Sequence, residues 1–335
     1  MKTASVISAL LAIGIPAAAS AERHFLAADG TTDTYELISQ AGFYTETSGR
    51  QTPDDFMGHP SYRHISQVAD AALGGYAFAF DIHVDHAEDG TTVTDGNKGE
   101  LTDRQRNEIK CMSSRPATVA KDGETITYRW KFMLPKGMLT TSTFCHIHQI
   151  KGMGDSDAVA HPVFTISCRT SGSRQVLQLI HVPYEGASNS YLAQTDLAPL
   201  LGRWIQASET VTVGRDGAYS VTLTDLATGA ALLSVTKENI AVWRDTADES
   251  TMRAKWGIYR SLGENLSLKP QLRSERVLFA DFETLKNSAA ASAGTVGEET
   301  FTSDSPLYDL QGRPVAAPAP GIYVRDGKKI LITHN

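Results

Sequence analysis

From about Tyr76 to Phe282 the chain is a succession of short strand-like stretches separated by turn signals, and this pattern restricts its fold more than any other feature. Ala77-Phe78-Ala79-Phe80-Asp81-Ile82-His83-Val84 ends at Glu88-Asp89-Gly90, and Thr125 to Phe132 alternates apolar with polar until Pro135-Lys136-Gly137. Phe144 to Lys151, Val163 to Arg169, Gln175 to Val182, Trp204 to Val213, Tyr219 to Thr224 and Val277 to Phe282 continue the series. Gly214-Arg215-Asp216-Gly217 marks a hairpin between two of them, since such residues accept the backbone angles of a tight turn. Many short strands at this spacing predict an all-β, antiparallel β-sandwich of the concanavalin-like jelly-roll type, with a groove on its concave sheet. Helical pattern is confined to Tyr35–Gln40, a segment near Ser66 to Leu73, and a stretch around Leu192 to Leu201.

The ends of the chain read differently. Residues 1–21 have the pattern of a secretory signal peptide: Lys2, an apolar run from Val6 to Ala18, and the small-residue site Ala19-Ser20-Ala21. The run is too short to span a bilayer, so a secreted or cell-surface protein is expected, without membrane insertion. The jelly-roll domain is expected over 22–287, a small-residue linker over 288–300, and a β tail over 301–335. Three cysteines (Cys111, Cys145, Cys168) allow at most one internal disulfide and show no metal-finger spacing; they are read as core residues.

Loss of residues 1–21 deletes a single charge, Lys2, and takes the formal net charge from −7 to −8. A surface of that sign does not favour nucleic acid. Positive charge is nevertheless concentrated in three segments: Arg104 to Lys110, Gln149-Ile150-Lys151, and Lys255-Trp256-Gly257-Ile258-Tyr259. Alternate residues of a strand share a face. Arg104, Arg106, Glu108 and Lys110 would therefore form one row, Gln149 and Lys151 a second, and Lys255, Gly257 and Tyr259 a third. Glu108 is expected to steady one of the arginines, and Gly257 to leave room for a sugar ring.

Such a groove suits β-elimination on a uronate polymer, an acidic polysaccharide being the partner expected. The proton at C5 is weakly acidic while the adjacent carboxylate is charged, so donors must neutralise that carboxylate and the charge that develops. A base and an acid must also lie within hydrogen-bonding reach, and Lys, Tyr and His are suitable. Hydrolysis would instead need two carboxylic residues about 5–10 Å apart; Asp281 and Glu283 on the last strand have no partner motif. A carbohydrate-binding jelly roll without catalysis is the alternative of another class, with Trp130, Trp204, Trp243 and Trp256 as stacking candidates or core residues.

The three segments resemble those of jelly-roll polysaccharide lyases, including alginate lyases, which carry an R-x-E-x-R/K strand, a Q-I/V-H strand and a K-x-G-x-Y strand. Here they read Arg106-Asn107-Glu108-Ile109-Lys110, Gln149-Ile150-Lys151 and Lys255-Trp256-Gly257-Ile258-Tyr259, in the same order. Lys151 stands where alginate lyases have His, and this is closer to the jelly-roll ulvan lyases, which act on sulfated rhamnose–uronate polymers. The resemblance implies that Arg106 and Gln149 bind the carboxylate and that Lys151 and Tyr259 share the acid–base work. Arg104, Glu108, Lys110, Lys255 and His148 would bind substrate. Glucuronan, heparin-like glycosaminoglycans and alginate are the other substrates it leaves open. The tail, with Tyr308-Asp309-Leu310-Gln311-Gly312-Arg313 and Gly321-Ile322-Tyr323-Val324, resembles C-terminal sorting tails of Bacteroidetes and implies an export machinery as a partner.

No cofactor is required by this chemistry, and a monomer is expected. His146 and His148 are spaced to share a metal but are read as structural histidines on the face opposite Gln149, unless a bulge intervenes. Asp81, His83 and Asp85 alternate on one face; a solvated strand end is the reading there, with a structural calcium or zinc as the alternative.

Overall fold

The computed structural model describes residues 22–46, 52–84, 103–154, 159–244, 250–286, Tyr308, 313–315, 321–325 and 328–332. The expected signal peptide over 1–21, Asp85 and the expected linker over 288–300 lie outside the described residues. The chain divides into two compact units, Met1–Ala290 and Ala291–Asn335.

The first unit is a jelly-roll sandwich of two antiparallel sheets. Its strands are β1 (Glu22–Leu26), β2 (Tyr44–Thr45), β3 (Ile65–Asp70), β4 (Gly75–Ile82), β5 (Arg104–Lys110), β6 (Val119–Lys121), β7 (Thr125–Met133) and β8 (Cys145–Gly152). They continue as β9 (Phe164–Ser171), β10 (Arg174–His181), β11 (Ser190–Asp196), β12 (Ile205–Thr212), β13 (Gly214–Asp225), β14 (Ala231–Val242), β15 (Thr251–Ser261) and β16 (Glu275–Lys286). One sheet has the order β14-β13-β12-β7-β16-β4-β3, with β1 on β16; the other has the order β11-β10-β9-β8-β15-β5-β2, with β6 on β15. Two short helices, α1 (Thr34–Gln40) and α2 (Pro53–Phe56), are capped by Asp33 and Thr52.

β7 shows why these residues make a sandwich. Ile126, Tyr128, Trp130 and Phe132 are buried, while Thr127, Arg129 and Lys131 point outward. The outer row is tied across strands, Thr127 to Thr210 at 2.9 Å and Lys131 to Asp281 at 2.5 Å. Trp256 of β15 meets Trp130 edge-on at 5.9 Å, joining the two sheets. All four tryptophans are at most 7% exposed, which makes them core residues rather than sugar platforms.

One polar network crosses this core. Glu209 of β12 accepts from the Tyr219 hydroxyl of β13 at 2.6 Å and lies 2.7 Å from His148 Nε2 of β8. All three side chains are buried. Burial, then the Glu209 charge, pushes the Tyr219 hydroxyl far above its ordinary pKa.

Two expectations of helix are corrected. Ser66 to Leu73 is mostly strand β3, paired with β4 in the register Ile65↔Phe80 and Val68↔Ala77. Leu192 to Leu201 is β11 followed by a single 3₁₀ turn, Ala198–Leu200. In both places an available sheet edge outweighs a weak local preference. The hairpin between β12 and β13 is present with Thr212 opposite Ala218, but Gly214 and Gly217 belong to β13 and pair with β14 through a bulge. The three cysteines are buried free thiols. Burial pushes the thiols of Cys111 and Cys145 up to about 12 and that of Cys168 well above its ordinary value.

The second unit contains one described hairpin, Gly321–Arg325 with Lys328–Ile332, in the register Ile322↔Leu331 and Val324↔Lys329.

Candidate active site

β5, β15 and β8 are adjacent in one sheet, and this brings the three cationic segments together. Their registers set Tyr259 opposite Arg106, and Lys255 opposite both Lys110 and Gln149. Above them lies a cleft of about 580 Å³ lined by Arg104, Arg106, Gln149, Lys151, Lys255 and Tyr259, together with His146, Phe144, Thr165, Arg169 and Asn189.

A bulge decides which side chains of β8 reach the cleft. On β9, Ser167 pairs with His146 and Ile166 with His148, so Ile147 has no opposite number. This extra residue inverts the alternation, and His146 joins Gln149 and Lys151 on the cleft face. His148 turns into the core, 1% exposed, with its ring 4.3 Å from that of Trp130. The expectation that His148 binds substrate is therefore corrected: it holds Glu209, and His146 takes the cleft position. His146 stacks on Phe144 at 5.0 Å and meets the Tyr259 ring at 5.8 Å. Burial, reinforced by Arg169, Lys255 and Arg106, lowers its pKa to about 3, so the ring is neutral.

Carboxylates beneath the cleft fix the cations. Glu108 is ion-paired with the Lys255 ammonium at 2.9 Å and accepts a hydrogen bond from the Gln149 amide. Contrary to the expectation from alternation, it does not hold an arginine, because Lys255 and Gln149 are its neighbours on the adjoining strand and the next. Lys110 does not line the cleft; its ammonium lies 3.1 Å from Glu46, which also faces Lys255 at 3.3 Å and Arg106 at 3.7 Å. Burial opposes ionisation of Glu46, but Lys255, Lys110 and Arg106 outweigh it and hold the carboxyl well below the usual range. Glu46 follows β2 and has no sequence signal, since nothing around it marks it as a neighbour of β5.

Arg106 is braced by stacking on the Tyr259 ring, 4.2 Å from guanidinium carbon to ring centroid. Arg104 donates to the Tyr259 hydroxyl at 3.3 Å and is itself held by Asp103 at 2.6 Å. Lys151 has no carboxylate within salt-bridge distance among the described residues. Burial and the charges of Lys255 and Arg106, opposed by Glu46, lower its pKa to about 8. Arg169 of β9 adds a further cation with no carboxylate partner among the described residues. The cleft rim is fastened by Arg244, 2% exposed, which donates to the carbonyls of His161, Pro162 and Val182 at 3.2, 2.9 and 2.7 Å.

Gly257 has a different reason from the one its motif implies. Its φ is +145°, and a Cβ there would lie 2.1 Å from the Asn107 carbonyl oxygen. The residue is glycine because β5 passes so close, not to admit a sugar. Elsewhere, Arg129 is paired with Glu283 and Lys131 with Asp281 on the other sheet, which accounts for the two carboxylates of the last strand as cross-strand partners.

No protein-family model and no curated protein matches this chain. Several solved structures are similar to it. An endo-β-1,4-glucuronan lyase from Trichoderma reesei is 13% identical, with 72% of this chain and 94% of that one covered and a TM-score of 0.44. The alginate lyase from Klebsiella pneumoniae is 14% identical over the same shares, 72% and 94%, with a TM-score of 0.44. Alginate lyase A1-II′ of polysaccharide lyase family 7 is 16% identical, with 79% and 95% covered and a TM-score of 0.46. Similarity at this level assigns neither substrate nor residue roles, which have to come from the cleft itself.

Proposed function

We propose that this protein is a secreted polysaccharide lyase that cleaves a uronate-containing polymer by β-elimination. The observation that carries the reading is the pairing, in one cationic cleft, of a lysine whose pKa falls to about 8 with a tyrosine hydroxyl held by Arg104 at 3.3 Å. A base poised near the working pH and an acid lining the same cleft are what elimination requires.

In this reading Lys151 Nζ, uncharged, removes the C5 proton of the uronate. The C–H electron pair becomes the C4–C5 double bond, the C4–O bond breaks, and the Tyr259 hydroxyl protonates the departing oxygen. Lys151 is left as the ammonium and Tyr259 as the phenolate, and exchange with solvent resets both. Arg104 and Arg106 stabilise that phenolate. Arg106 and Gln149 neutralise the carboxylate: one amide hydrogen of Gln149 is spent on Glu108, and the other is free for substrate. The variant mechanism gives both proton transfers to Tyr259 and leaves Lys151 as a further neutralising group.

Ulvan is the leading substrate. Lys in place of His at position 151 favours it, and Arg104 and Arg169 supply cations beyond those needed for one carboxylate, as a sulfated polymer would use. The test is ultraviolet absorbance as the mature protein is mixed separately with ulvan, glucuronan, alginate and heparin. Elimination creates a conjugated unsaturated uronate at each new end. Growth of that absorbance on one polymer supports the reading and identifies the substrate. New reducing ends without the chromophore would mean hydrolysis, and binding without cleavage would mean a carbohydrate-binding module.

A further inference from the structure

Behind the cleft, outside the site just described, three histidines converge. His59 follows α2, His64 directly precedes β3, and His83 follows β4. Their ring centroids form a nearly equilateral triangle, 5.6 Å between His59 and His64, 5.5 Å between His59 and His83, and 5.4 Å between His64 and His83. One ring nitrogen from each lies within 4.8 Å of the others. From this geometry we infer that His59, His64 and His83 form a binding site for one zinc ion.

The surroundings are those of a metal-binding histidine set. His64 is fully buried, and its Nδ1 lies 3.2 Å from Asp54, which also accepts the His64 main-chain N–H at 2.8 Å. A carboxylate on one ring nitrogen fixes the ring's orientation, the arrangement typical of imidazoles that ligate zinc. Asp54 is steadied in turn by the Tyr35 hydroxyl at 2.5 Å. Tyr62 packs its ring against all three imidazoles, at 5.3, 5.1 and 4.5 Å, and covers the cluster with an apolar surface.

The donor set selects the metal. Three imidazoles suit zinc and its neighbours in the first transition row, whereas calcium needs several oxygen ligands. Asp81, on β4 two residues before His83, is engaged by Arg276 through contacts of 2.7 and 2.8 Å and by the Tyr62 hydroxyl at 3.0 Å. The calcium alternative built on Asp81 is thus disfavoured by its own partners. Small rotations of the rings would bring the nitrogens to the separation that bonds of about 2.0–2.1 Å require, leaving a fourth position for water.

The position indicates the role. The His64 carbonyl accepts from Asn107 at 2.7 Å, and the His83 carbonyl accepts from Gln105 at 2.7 Å and Arg260 at 3.2 Å. Gln105 and Asn107 alternate with Arg104 and Arg106 along β5, so the ion would clamp the segment behind the strand whose other face lines the cleft. It would stabilise the fold without touching substrate.

The test uses full-length mature protein made without a polyhistidine tag, stripped with a chelator and reloaded with Zn²⁺ or Co²⁺. One metal per chain by mass spectrometry, a visible Co²⁺ spectrum of tetrahedral type, and a higher Tm on reloading are expected. His83→Gln should weaken uptake at least tenfold, and the His59→Gln/His83→Gln pair should abolish both uptake and the Tm shift. Uptake unchanged in the double variant would overturn the site, as would no uptake by the unaltered protein. If the double variant does not fold, the cobalt spectrum of the unaltered protein decides: a tetrahedral band supports the site and its absence overturns it. None of these outcomes bears on whether the cleft performs elimination.

Discussion

The guanidinium of Arg106 lies 4.2 Å from the ring centroid of Tyr259, and the two residues face each other directly across β5 and β15. The cation sits over the ring face, and Arg104 donates a hydrogen bond at 3.3 Å to the phenol oxygen. The stack also holds Arg106 in place for a substrate carboxylate. In the proposed elimination, one contact would thereby couple carboxylate recognition to the acid.

Tyr259→Phe keeps the stacked ring and removes only the proton donor. The initial rate of chromophore formation should fall by roughly 100-fold or more, the usual contribution of a positioned acid. KM should change little, and a strong rise in KM with kcat preserved would instead make Tyr259 a binding residue.

If Lys151 is the base, its uncharged form is the active one. With its pKa near 8, kcat/KM should rise about tenfold per pH unit up to about 8 and flatten above it. Lys151→Met should lose most activity together with that limb; a limb that persists would assign the base to Tyr259. Stability carries the opposite signature of a stabilising pair. The folded pKa lies below the ordinary 10.5, so charged Lys151 destabilises the fold below about pH 8, and the penalty is relieved as pH rises from there toward 10.5. Lys151→Met should therefore raise Tm at pH 7 and change it less at high pH.

Glu46→Gln removes the charge shared by Lys110, Lys255 and Arg106. Chemical denaturation should show a loss of roughly 2–3 kcal/mol, somewhat under that of a fully buried pair because Glu46 keeps some exposure. Since Glu46 holds the Lys151 pKa up, the activity limb should also move to lower pH. A limb that stays in place would mean that the charge of Glu46 is not felt in the cleft.

Glu209→Ala leaves the buried His148 and Tyr219 without their common partner. A destabilisation of about 3–5 kcal/mol is expected from urea titration. Because this network lies in the core, the kcat of the remaining folded protein should stay close to that of the unaltered chain.

The sandwich was legible because alternation on strands such as β7 is strict from Thr125 to Phe132, each inward residue being apolar and each outward one polar. The three cationic strands were legible for the same reason, and their side chains do meet over one cleft. What escaped has local causes. Periodicity cannot announce the extra residue at Ile147, so it put His146 on the wrong face while leaving His148 correctly opposite Gln149. Glu46 and Arg169 come from segments that meet β5 and β8 only after folding. β3 carries too little alternation to betray a strand, and it is defined by its pairing with β4. Gly257 was noticed, but its cause is a neighbouring backbone that no one-dimensional pattern contains.

The three buried thiols give the molecule a built-in clock. Because Cys111, Cys145 and Cys168 lie in the interior and resist ionisation, an alkylating reagent can reach them only in chains that have opened. Their rate of labelling would therefore count excursions of the whole sandwich, in a protein whose native surface presents no competing sulfhydryl.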